Sequence, residues 1–266
     1  MLVLFGERWC IKQMATYVMS DLHGRKKTFD RMLKEIQFQD SDQLYIIGDV
    51  IDRGYGGISI YQYCMAQNNI IVLKGNHEYM MLEYFEKAVQ DGKLPNLRNN
   101  WNSLWFYNGG ETTMEEFSKL TDEERFEIYQ YIKQEPEYLL ITVNSKKYLL
   151  VHAGLTGLFR IPELTLEELM ERNIRKEEHI WTREDFLEDQ TELPDTTILF
   201  GHTPVYYIPH ICFSLTDDQK KSCKKNQFYH AAGRIGLDCG CGGGLNLGCL
   251  RLEDQKEFYI RCEKGD

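Results

Sequence analysis

The chain has 266 residues, 42% of them apolar, with 31 Lys and Arg against 41 Asp and Glu for a formal charge of -10. That length allows one large domain or two small ones around a sizeable core, and the acidic balance offers no basic face for nucleic acid. No apolar run approaches the ~20 residues of a membrane span, and the opening MLVLFGERWCIKQ lacks the charged lead and apolar length of a secretion signal. A cytoplasmic protein, with neither membrane nor nucleic acid as partner, is the expectation.

Residues 15–20 read as a buried strand. Phe29, Met32, Leu33 and Ile36 then recur at the spacing of one helix face. The apolar run at 43–49 is a second strand, residues 58–67 a helix, and 69–75 a third strand. Another helix runs from His77 to about residue 89. This β-α-β-α-β order implies parallel strands with right-handed crossovers. Residues 91–135 turn polar and aromatic and read as a lid or insertion, packed by Trp101, Trp105, Phe106 and Tyr107. Within it, residues 121–134 form a helix opened by Thr121 and Glu124 at capping-box spacing. Residues 138–154 read as a hairpin turning at Asn144-Ser145. Residues 163–190 are acidic and mostly helical, 196–203 a buried strand, and 206–231 a polar insertion. RIGLDCG, NLGCLRLED and KEFYIRC then read as closing antiparallel strands. With no repeat and no low-complexity linker, the expectation is a single domain over 1–266, its core at about 14–262, with insertions at about 91–135 and 206–231.

Eight cysteines invite a disulfide reading. The chain is too core-rich to need staples, so reduced structural thiols are expected. Cys239 and Cys241 form a C-x-C pair without a second pair to complete a zinc site.

Ligand-type side chains follow the buried strands one after another. Asp21 and His23 follow the first, Asp49 the second and Asn76 the third; His152 and His202 follow two later ones. Sites in α/β sheets form outside the carboxyl ends of strands, so these six residues face one crevice. Singly, each has a plainer reading: a turn aspartate, a helix-capping asparagine, a core histidine. Jointly, at successive strand ends, they point to a site, whereas His179, His210 and His230 have no such placement. Imidazole, carboxylate and amide ligands suit Mn, Fe or Zn. Six of them exceed the needs of one ion, and two ions sharing a carboxylate would use all six and activate a water. Glycines flank each position, where a side chain would crowd the ions.

SDLHG (20–24), GDVIDRG (48–54), GNHE (75–78), HAG (152–154) and GHT (201–203), in this order, resemble the metal-dependent phosphoprotein phosphatase family, in its bacterial serine/threonine branch. GLDCGCGGGLNLGCLRLED resembles that family's final strand pair, so the resemblance runs from about residue 14 to 262. It implies the calcineurin-like metallophosphoesterase fold, a β-sandwich of two mixed sheets flanked by helices. It gives Asp21 and His23 to a first metal ion, Asp49 to both, and Asn76, His152 and His202 to a second. It makes Arg53 and Arg183 grips for the substrate phosphate. His77 becomes the general acid and Asp52 its orienting partner. Lys74 stands where many members have a third arginine and is a further candidate for binding the phosphate, since a point charge can replace a fork electrostatically though not bidentately. Ser20 stands where many have glycine, and little effect is expected. Glu78 is read as structural.

The implied activity is hydrolysis of phosphoserine or phosphothreonine in a protein or peptide, by in-line attack of a hydroxide held by two metal ions. A phosphoserine leaves as a basic alkoxide, and an imidazole held by a carboxylate can deliver the proton that it needs. A related group cleaves diadenosine tetraphosphate symmetrically. Its members usually lack the carboxylate at the Asp52 position and carry Asp where this chain has Glu78. A non-catalytic scaffold, the third reading, would be expected to have lost a ligand or the acid.

Overall fold

The computed structural model describes residues 14–86, 103–160 and 163–266. Burial with a period of two divides each of the first three strands between two cores. In β1 (Thr16–Met19), Tyr17 and Met19 face one core and Val18 another. In β2 (Gln43–Ile47), Leu44 and Ile46 face the first and Ile47 the second. The strand β3 (Ile70–Leu73) repeats this with Ile70 and Val72 against Leu73. Strands apolar on both faces read as unbroken runs, which is why they stand out in the sequence.

Helices α1 (Lys26–Glu35) and α2 (Gly57–Met65) connect these three strands, and α3 (Asn76–Glu86) follows them. The strands pair in parallel, as expected. Next come α4 (Leu104–Tyr107), α5 (Glu111–Phe117) and α6 (Asp122–Lys133). Thr121 and Glu124 cap α6 reciprocally, a full capping box. The hairpin of β4 (Tyr138–Val143) and β5 (Lys146–Val151) turns at Asn144 and Ser145, with φ of 47° and 65°. Both values suit a two-residue hairpin turn whose twist matches its strands. Helices α7 (Leu166–Arg175), α8 (Glu178–Trp181) and α9 (Glu184–Glu188) lead to β6 (Thr196–Phe200). Then follow α10 (Ile208–Ile211), α11 (Asp217–Lys224), β7 (Tyr229–Ala231), β8 (Arg234–Gly236), β9 (Asn246–Arg251) and β10 (Lys256–Arg261).

Two five-stranded sheets result, ordered β10-β9-β1-β2-β3 and β4-β5-β6-β8-β7. Val18, Ile47, Leu73 and Leu250 of one sheet meet Tyr148, Leu150, Leu199 and Ile235 of the other in the core between them. The outer face of the first sheet packs against α1, α2, α3, α5 and α6. That of the second packs under α7, α9, α10 and α11. The layers are therefore helix, sheet, sheet, helix: a β-sandwich of two mixed sheets flanked by helices.

Three local expectations need correction. The described part of 91–135 is no lid. Trp105, Phe106, Met114, Phe117, Ile128, Tyr129 and Ile132 are all buried in the first outer core; Trp101 lies outside the described residues. The 206–231 segment ends in a strand, β7, that a three-residue stretch inside polar surroundings does not betray. The closing strands are not all antiparallel. β8 runs parallel to β6, because α10, α11 and β7 bring the chain back to the starting end. The other two, β9 and β10, are antiparallel as expected.

Candidate metal centre

Strands β1, β2 and β3 end at the same edge as β5, β6 and β8. Asp21, His23, Asp49 and Asn76 reach that edge from the first sheet, and His152 and His202 from the second. All six are buried, none more than 5% exposed. The backbone there is unusual. Asp21, His23, Asp49, Asp52, Arg53 and His202 all have positive φ, between 45° and 72°. Non-glycine residues rarely adopt that region, and such strain persists only where the surroundings fix it, commonly at functional sites.

Bonds between the sheets fix the edge. The His152 Nδ1–H donates to the carbonyl of Ile47 at 2.9 Å, and the His202 backbone N–H donates to Asp21 at 3.0 and 3.1 Å. Ser20 donates its hydroxyl to Asp21, so this position orients a ligand-type carboxylate rather than being inert. Glu78 is more than a helix residue. Its carboxylate accepts the backbone N–H groups of Asp49 at 2.8 Å, Gly75 at 3.0 Å, Val50 at 2.9 Å and Ile51 at 3.4 Å. It thereby locks the loop after β2 to the start of α3, although burial and the Asp49 charge push its pKa up to about 7.

Donor chemistry tests whether cations fit here. Burial lowers the pKa of His152, and burial with the Arg53 and His77 charges lowers that of His23. Each neutral ring spends its one proton at Nδ1, on Ile47 in one case and on Ile51 at 3.1 Å in the other. The Nε2 of His152 therefore presents a lone pair to Asn76 Oδ1 at 2.9 Å and Asp49 Oδ1 at 3.4 Å. The Nε2 of His23 presents one to Asp49 Oδ2 at 3.6 Å. His202 Nδ1 lies 2.8 Å from the same Asn76 oxygen, and its Nε2 is buried without a partner among the described residues. Electron pairs facing each other in a dry cavity repel unless a cation sits among them. Two groups, His23 with Asp49 and His77, and Asp49 with His152 and His202, each offer ligand atoms within 4.8 Å of one another, and Asp49 belongs to both. Asp21 faces Asp49 and Asp238, and burial together with their charges raises its pKa. The residues present fit two cations with Asp49 between them.

Two guanidinium groups lie at this edge. Arg53 Nη2 sits 3.0 Å from His77 Nε2. Arg183 Nη1 donates to the His202 carbonyl at 3.0 Å and to Thr203 Oγ1 at 3.4 Å, with the Asp238 and Asp21 carboxylates close by. His77 Nδ1 donates to Asp52 Oδ2 at 2.6 Å. Burial disfavours a charged His77, but Asp49 and Asp52 outweigh it and raise its pKa. Lys74 turns elsewhere: its ammonium donates to Glu137 at 2.8 Å, and Glu137 also accepts from His179 at 2.9 Å. Sequence reasoning overlooked Asp238, which follows β8 as Asp49 follows β2. It is buried, and burial raises its pKa to about 6. Its position after a short strand was the available signal.

Seven cysteines among the described residues are free and buried, and neither candidate metal group includes one. No helix among the described residues is long and apolar enough to cross a membrane.

Several known proteins are similar to this chain. Serine/threonine-protein phosphatase 2 of Salmonella typhimurium is 31% identical over 141 residues, covering 52% of this chain and 57% of that enzyme. The match thus spans just over half of the relative's length. A symmetrical bis(5'-nucleosyl)-tetraphosphatase of Nitrosospira multiformis is 23% identical over 95% of this chain and 98% of its own. A solved structure assigned provisionally as a diadenosine tetraphosphatase superposes with a TM-score of 0.58 over 96% of each chain at 15% identity, which establishes a shared fold. Residues 14–230 match the calcineurin-like phosphoesterase family over most of the chain, a span that includes Asp21, His23, Asp49, Asn76, His152 and His202 but stops short of Asp238. The chain belongs to the calcineurin-like phosphoesterase family, whose members hydrolyse phosphoesters with bound metal ions.

Proposed function

We propose that this phosphoester hydrolase acts on phosphoserine or phosphothreonine in proteins or peptides. The observation that carries this reading is the buried His77–Asp52 pair, 2.6 Å apart, with Arg53 against the free imidazole nitrogen. Asp21, His23 and Asp49 would hold one Mn, Fe or Zn ion, and Asp49, Asn76, His152 and His202 the other. Together the two ions would supply an activated water and offset the phosphate charge.

The chain's own groups do the rest. The Arg53 guanidinium, at the mouth of the site, turns from His77 to the phosphoryl oxygens when substrate arrives, and Arg183 holds them from the second sheet. That movement frees His77 Nε2 to take up a proton, which the Asp49 and Asp52 carboxylates favour, and to give it to the departing oxygen, while Asp52 holds Nδ1 and fixes the ring plane. His77 lies near Asp49 as well, at 3.9 Å. The guanidinium 3.0 Å away donates to the Nε2 lone pair, which argues against a metal ligand there, because two cations would compete for that lone pair. Lys74, paired with Glu137, takes no part in holding phosphate in this reading.

The choice of substrate follows from leaving-group chemistry. An alkoxide is about as basic as hydroxide, since water has a pKa of ~15.7, so its departure needs a proton. A nucleoside diphosphate leaves through a phosphate oxygen whose pKa is ~6 and needs no proton at pH 7. A built proton donor therefore favours alkyl monoesters. Symmetrical cleavage of diadenosine tetraphosphate is the second reading, supported by the full-length similarity to the Nitrosospira enzyme.

A paired assay with Mn present separates the two. The expected result is faster turnover of a phosphoserine or phosphothreonine peptide than of diadenosine tetraphosphate. Faster cleavage of the dinucleotide would reverse the assignment.

A further inference from the structure

The aromatic stretch WFYNGGET lies far from the metal ligands in sequence, yet it reaches the catalytic pair. Trp105, 1% exposed, directs its indole N–H at both oxygens of Asp52, at 3.1 and 2.9 Å. Thr113, fully buried, donates its hydroxyl to Asp52 Oδ1 at 2.6 Å and accepts the Asp52 backbone N–H at 3.0 Å. The next residue is held too: the Arg53 N–H donates to the Gly109 carbonyl at 3.1 Å. Asp52 and Arg53 are consecutive non-glycine residues with φ of 72° and 68°, a conformation that needs outside support.

Both glycines of the stretch make these contacts feasible. A Cβ on Gly109, itself at φ of 100°, would lie 3.0 Å from Arg53 Cγ. One on Gly110 would lie 2.7 Å from the Trp105 indole. The spacing Trp105, Gly109, Gly110 and Thr113 thus has a single geometric reason.

We propose that residues 105–113 form a positioning clamp for the proton donor. Trp105 and Thr113 fix the plane of the Asp52 carboxylate, which fixes the His77 ring, while Gly109 holds the Arg53 backbone. Neither Trp105 nor Thr113 touches substrate. The inference rests on the reading of His77 as general acid. Three donors surround the two Asp52 oxygens: Trp105 on both, Thr113 on Oδ1 and His77 on Oδ2. Removal of either clamp donor lets the carboxylate rotate and the imidazole drift from the line of the leaving oxygen, where proton transfer is steeply distance-dependent.

The test compares Trp105→Phe and Thr113→Val with Asp52→Asn and His77→Ala in the Mn-loaded enzyme. The substrates are a phosphoserine peptide and 2,4-dinitrophenyl phosphate, whose leaving group needs no proton. Proton donors contribute roughly 10²–10⁴-fold. Each clamp variant is expected to lose about 10–100-fold in kcat on the peptide, with KM unchanged and the aryl phosphate affected less than about threefold. Thr113→Ser should restore the peptide rate. Trp105→Phe should add nothing in the Asp52→Asn background.

Equal losses on both substrates, or no loss on either, overturn the clamp if Asp52→Asn and His77→Ala do discriminate between them. Should those two reference variants fail to discriminate, the general-acid reading fails on its own. The clamp is then judged by nuclear magnetic resonance on the metal-free protein. The Trp105 indole N–H resonance is expected to shift in Asp52→Asn, and the His77 Nδ1 proton resonance in Trp105→Phe. If neither moves, the clamp is overturned. Trp105→Phe keeps the ring volume near native, so the test survives even if Thr113→Val does not fold.

Discussion

Glu78 illustrates how one carboxylate can shape a site without touching substrate. Its two oxygens accept four backbone N–H groups from two segments, those of Asp49, Val50 and Ile51 and that of Gly75. At the first turn of α3 its charge is also favoured by the helix dipole. Glu78→Gln would turn one acceptor into a donor facing buried N–H groups. A buried donor left unsatisfied costs about 1–3 kcal/mol, and a protein of this size loses about 2–4 °C per kcal/mol. The metal-free variant should therefore melt several degrees below the native protein by circular dichroism, with Asp49 displaced. An unchanged melting temperature would remove this role. Asp in place of Glu78 is one methylene shorter and cannot span both pairs of amides, which gives the Glu of GNHE a physical meaning.

Individual side chains differ in how far the sequence announces them. The strand-end residues of ligand type were legible because each follows an apolar run, and the chain's order alone brings them to one edge. Trp105 and Thr113 were not, since their shared partner Asp52 lies 53 and 61 residues away. Only the packed outer core brings them together.

Among elements, the parallel strands and the α6 helix were readable for local reasons: unbroken apolar runs and a capping box. Two further capping boxes, Thr165 with Glu168 and Thr216 with Gln219, start α7 and α11 and carry the same signal. Strand direction was not readable for β8, because it depends on how far the preceding segment travels and not on the strand's own residues.

Contacts between elements carry their own prediction. Lys74 after β3, Glu137 before β4 and His179 in α8 form one charged network. Burial opposes the charge on Glu137, but His179 and Lys74 outweigh it and hold its pKa below the usual carboxylate range. A depressed folded pKa means that the network stabilises above the unfolded value and that this contribution fades as pH falls through the folded one. Glu137→Gln should cost about 2 kcal/mol at pH 7, less than the 3–5 kcal/mol for breaking a fully buried pair. Urea unfolding from pH 7 downward should show the gap between variant and native protein closing below about pH 4.5. A gap independent of pH would mean that Glu137 acts through shape and not through charge.

The sandwich as a whole explains why the site lies where it does. The inner core of Val18, Leu73, Leu150 and Leu199 holds the sheets face to face, so strands of both sheets end along one edge. One sheet then contributes Asp21, His23, Asp49 and Asn76, and the other His152, His202 and Asp238. The bond from His152 to Ile47 and that from His202 to Asp21 cross between the sheets. Cations at this edge would link the two halves, and any ligand that binds only the folded state stabilises it by mass action, about 4.1 kcal/mol at 1,000 times Kd.

Anomalous diffraction from crystals grown with Mn tests the shared cation pair most directly. The account predicts two peaks about 3.5–4 Å apart, with the Asp49 carboxylate between them, His23 against one and His152, His202 and Asn76 against the other. A map with no peak at this edge, or with a single peak that leaves Asp49 uncoordinated, would contradict it.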